Sequence, residues 1–125
     1  MGMIFLRVFA GDFCPYKTET FHPSKILIIE RGYYPRVIQV THDNKSIKIS
    51  IFNPFHNHQN IEIDIETVIF MYFIVQEVKR EKEFIRSSGE KVIKYTGRTL
   101  CFKVLTRNSV FEHKMFDDYE IKIIE

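Results

Sequence analysis

"SIKISIFNPFHNHQNIEIDIE", residues 46–66, contains two runs in which every second residue is isoleucine. Ile47, Ile49 and Ile51 alternate with Ser46, Lys48 and Ser50, while Ile61, Ile63 and Ile65 alternate with Glu62, Asp64 and Glu66. Successive side chains of an extended chain point to opposite faces, so a strict period of two marks a half-buried strand. The two runs predict an antiparallel hairpin joined by "NPFHNHQN". Its isoleucines form a core face, and Lys48 faces the acidic row on the other side.

Composition extends that reading to the whole chain. The 125 residues include 18 Ile, 9 Val, 12 Phe, 6 Tyr and 7 Thr, against 4 Leu and 1 Ala. Branched and aromatic side chains suit a pleated, half-buried surface, whereas Ala and Leu are the best helix formers. Short strand-like runs recur at 3–9, 25–30, 36–41, 68–78 and 120–125. "AGDFCPYKTETFHPS" reads as a loop rich in breakers, "HDNK" as a turn in which Asp binds its own backbone, and "KVIKYTGRTLCFKVLT" as a hairpin turning near Thr96–Gly97. For residues 77–87 one short helix is the alternative to continued strand. The expectation is a single all-β, mainly antiparallel domain over 1–125, built as a small barrel, roll or sandwich.

No secretory leader is visible, and the longest apolar run, Val68–Val75, is far short of the ~20 residues that span a bilayer. These features lead us to expect a cytoplasmic protein with no membrane partner. Cys14 and Cys101 match no zinc or redox spacing, and free thiols are the expected state.

Two groups of residues invite a functional reading. His56, His58 and Glu62 form an H-x-H-x-x-x-E pattern. That spacing resembles the first half of the first cupin motif, a family in which two histidines and a glutamate hold a metal inside a β-barrel. The resemblance implies a divalent metal cofactor and an enzyme. It covers seven residues, and this chain has Ile69 where the family usually places a glycine. Parity on a strand also sets the trio on the acidic face, opposite the isoleucines.

The second group is basic. Residues 79–107 hold nine basic and three acidic side chains, a net of +6, within a chain whose net charge is +2. Lys79, Arg80, Lys82, Arg86 and Arg98 belong to this block, interleaved with aromatics that single-stranded nucleic acid could stack upon. The acidic residues of 108–125 are placed to neutralise it if the fold brings the two together. Tyr33 and Tyr34, flanked by arginines in "RGYYPR", have the composition of a protein-binding hot spot. With no phosphate loop or nucleophile motif present, the reading is a non-enzymatic binding module without cofactor. A protein partner or self-association comes first and nucleic acid second, and the metal enzyme stands as the alternative.

Overall fold

The computed structural model describes residues 6–10, 17–32, 36–53, 58–76, 79–80, 84–85, 91–97, 99–115 and 118–125. Among the described residues thirteen strands run in chain order: β1 (Leu6–Ala10), β2 (Lys17–Phe21), β3 (Lys25–Arg31), β4 (Arg36–His42), β5 (Ser46–Phe52), β6 (Gln59–Asp64), β7 (Val68–Gln76), β8 (Lys79–Arg80), β9 (Phe84–Ile85), β10 (Lys91–Gly97), β11 (Thr99–Thr106), β12 (Val110–Met115) and β13 (Asp118–Ile124). A 3-10 turn, Ile65–Thr67, separates β6 from β7.

The strands form two sheets. The first has five strands, in the order β12-β11-β7-β1-β2. The second follows β6-β5-β4-β3-β13-β10, with the two-residue strands β8 and β9 on the remaining edge of β10. Among the described residues every pairing is antiparallel except β1 with β7. This is a sandwich and not a closed barrel, because both sheets end in edge strands.

The isoleucine rows behave as their periodicity demands. β5 and β6 pair with Ile47 opposite Ile63, Ile49 opposite Ile61, and Lys48 opposite Glu62. Ile47 and Ile49 are fully buried, and Ile51, Ile61, Ile63 and Ile65 pack against the core more loosely. Between the sheets they join Leu6, Ile26, Ile28, Ile38, Phe73, Phe102, Val104, Ile121 and Ile123. The β4–β5 turn closes on Asp43, whose Oδ1 accepts from Lys45 N at 2.7 Å and Ser46 N at 2.9 Å. Those two backbone donors, with Lys48 beside them, lower the Asp43 pKa to about 2.

Two expectations are corrected. Residues 91–106 are not a hairpin: β10 pairs with β13 in the second sheet, while β11 pairs with β7 and β12 in the first. The chain changes sheets between Gly97 and Thr99, and side-chain alternation is the same whichever sheet a strand joins. Second, Lys17–Phe21 of the expected loop is β2, and Phe21 is buried in the core. Within 77–87 the described pairs Lys79–Arg80 and Phe84–Ile85 are strands on β10, so there the strand reading holds over its helical alternative. The acidic run after β6 also ends earlier than alternation implies. Asp64 caps the 3-10 turn, accepting from Glu66 N at 3.0 Å, and the chain then crosses to the first sheet.

Candidate interaction surfaces

Of the residues singled out from sequence, Tyr33, Tyr34, His56, Lys82, Arg86 and Arg98 lie outside the described residues. Lys79 and Arg80 are placed by their backbone alone, in β8 opposite Thr96 and Tyr95. His58 and Glu62 share the outer face of the second sheet. The His58 ring stacks on Phe52 at 4.6 Å, and Glu62 Oε1 accepts from Ser46 Oγ at 2.9 Å. Four residues of extended chain hold these two side chains about 13 Å apart. Among the described residues no three His, Cys, Asp or Glu side chains come close enough together to hold a metal ion. Cys101 is a half-buried free thiol whose pKa is raised by burial and by Glu112.

Two lysines of the basic block are paired with acidic residues further along the chain. Lys94 reaches Glu120 at 3.5 Å, and Lys103 reaches Glu112 at 3.3 Å. Glu120 is buried on the outer face of its sheet and also takes Arg31 at 2.9 Å and Lys122 at 3.5 Å. A buried carboxylate must be paired to be tolerated, and here three cations surround it. The local positive charge is correspondingly reduced.

An edge of the first sheet defines a second surface. Phe21 on β2 meets Tyr95 on β10 edge-to-face at 6.4 Å, which brings β2 over β10. At the opposite edge β12 pairs with β11 alone among the described residues, and it turns Phe111 and His113 inward and Glu112 and Lys114 outward. Val110 at its start is 57% exposed. Ile61 and Ile63 on β6, the edge of the second sheet, are half-buried.

A polar group also lies between the sheets. Glu30, buried at the end of β3, accepts from Arg36 Nε at 2.7 Å. His113 faces the same end of the sandwich. Burial lowers its pKa, Arg36 lowers it further, and Glu30 partly opposes them. Tyr119 lies opposite Glu30 in register, and burial raises the pKa of its phenol. His113 Nε2 and Tyr119 Oη are both buried without a hydrogen-bond partner. Glu30 and Tyr119 did not stand out in the sequence, and Arg36 entered only as a flank of Tyr33 and Tyr34. An inward carboxylate closing the apolar run "KILIIE" was the one signal for them.

Compared with family models, curated proteins and solved structures, the chain matches none. No helix among the described residues is long and apolar enough to cross a membrane.

Proposed function

We propose that the protein is a non-enzymatic interaction module that receives an extended segment of a partner protein along β12. The observation that carries this reading is the edge of β12, which pairs with β11 alone among the described residues and offers Glu112 and Lys114 on its outer face. A sixth strand in the first sheet would pair its backbone with β12 and turn its alternate apolar side chains inward beside Phe111 and His113. This is strand addition, in which main-chain hydrogen bonds supply affinity and alternate side chains supply specificity.

Charge selects the register. In antiparallel pairing, directly opposite residues share a face. A partner segment carrying Glu-x-Lys, centred opposite His113, sets its Lys against Glu112 and its Glu against Lys114. Residues 109–116, "SVFEHKMF", have that pattern and serve as the probe. A labelled SVFEHKMF peptide should bind more tightly than its charge-swapped form, SVFKHEMF. Each cross-strand charge pair contributes a few tenths to about 1 kcal/mol. Reversing two pairs therefore amounts to about 1–2 kcal/mol, roughly tenfold in Kd. The E112K/K114E double variant should reverse the preference. Fluorescence anisotropy reads both, and equal binding of the two peptides to both proteins would reject the charge register. A second copy of the chain would show itself as a doubled mass in light scattering.

One observation favours nucleic acid as a second reading. On the outer face of the five-stranded sheet Arg7 sits over the Phe70 ring at 4.9 Å, and Phe70 and Tyr72 are 5.0 Å apart. Stacking aromatics with adjacent cations suit single strands. That reading requires binding of oligo(dT) that weakens steeply between low and moderate salt.

A further inference from the structure

Independently of the β12 edge, the outer face of β4–β5–β6 forms a shallow basin of about 330 Å³, in which the polar side chains of Gln39, Thr41, Lys48, Ser50, Asn60 and Glu62 meet parts of Ile49 and Ile61. Strand register organises these side chains into rows. Gln39, Ser50 and Asn60 lie side by side across the three strands, as do Thr41, Lys48 and Glu62. The next row, on the other side of Ser50, sets Phe52 opposite Val37. Phe52 is 44% exposed, and the His58 ring packs against it.

We propose that this basin binds a neutral polyhydroxylated ligand, a glycan. The volume is within the range of small-molecule sites. The central row decides the chemistry, because amides and hydroxyls both donate and accept hydrogen bonds. A sugar hydroxyl also does both. Neighbours in the row are one inter-strand spacing apart, about 4.8 Å. That is close to the separation of hydroxyls two carbons apart on a six-membered ring. Phe52 offers an exposed apolar ring on which the C–H face of a sugar can rest, and His58 against it limits its rotation. An anion is disfavoured, since the one cation of the basin, Lys48, lies opposite Glu62 and pairs with Asp43 at 3.3 Å. An apolar ligand would leave Gln39, Ser50 and Asn60 without partners.

Affinity electrophoresis tests this with four soluble neutral or near-neutral polysaccharides cast into native gels: glycogen, hydroxyethylcellulose, glycol chitin and yeast mannan. We expect at least one to retard the protein. Asn60→Ala and Gln39→Ala should each weaken that retardation about tenfold, and Phe52→Ala should weaken it similarly. Gln39 and Asn60 are exposed, so their substitution leaves the core intact, which far-ultraviolet circular dichroism checks. Lys103→Ala, on the other sheet, should change nothing. Migration unaffected by all four gels overturns the proposal. Retardation that survives Asn60→Ala and Gln39→Ala does so too, as does retardation by dextran sulfate alone.

Discussion

The strands β6 and β12 each end a sheet, yet they differ as partners. β6 shows solvent Asn60, Glu62 and Asp64, in which both charges are negative. An antiparallel copy centred on Ile63 sets Glu62 against Asp64. β12 shows Glu112 and Lys114, a mixed pair that an antiparallel Glu-x-Lys strand complements. Edge strands are usually guarded by charge against unwanted pairing. Here one edge is guarded and the other is selective. What distinguishes them is the sign of two side chains spaced two residues apart.

The largest expected effect concerns how firmly each row is held. Ile49 is fully buried, and Ile49→Ala should cost about 3 kcal/mol in urea denaturation. Ile63→Ala, in the half-buried row of β6, should cost about 1 kcal/mol. Equal costs would mean that the two rows are held equally firmly.

Next comes the polar end of the sandwich beneath β12. Glu30→Ala leaves Arg36 without its buried carboxylate. The expected loss is about 2 kcal/mol, below the ~3–5 of a fully buried pair because the Arg36 side chain keeps 33% of its surface in water. His113 sharpens the contrast through pH. Its folded pKa lies below the ordinary 6.5, so the unfolded chain binds the proton first. Stability should be full above about pH 6.5 and fall as pH drops toward the folded value. His113→Gln should flatten that slope in denaturation midpoints measured from pH 7 to 5.

Asp43→Ala should give the smallest change in the urea midpoint, since the turn is fully exposed. The carboxyl titrates near 2, below its usual 3.8. Its contribution is therefore present above about 3.8 and disappears as pH falls through 2. In the wild type the midpoint should decline over that window, and in the variant the decline should be shallower.

Much of this fold was legible in the chain, and the reasons mark the boundary. Ile47–Ile51 and Ile61–Ile65 declared their strands because alternation records which face is buried. The Asp43 turn was readable because its chemistry is local. Sheet membership was not readable: "KVIKYTGRTLCFKVLT" alternates equally well as a hairpin or as two strands in opposite sheets. The candidate sites divide the same way. Lys48, Ser50 and Glu62 were visible as an outward row, but Gln39 joins them only through the β4–β5 register. That β12 and β6 each end a sheet is a property of strand order, which leaves no mark on periodicity. Glu30, Arg36 and His113 meet across a sequence separation that alternation does not record.

Hydrogen exchange read by mass spectrometry, with and without saturating SVFEHKMF peptide, tests the central claim most directly. Strand addition predicts that backbone amides of 110–115 slow on addition of the peptide, while those of 59–64 keep their rates. Slowing confined to 59–64, or no slowing at either edge, would contradict it.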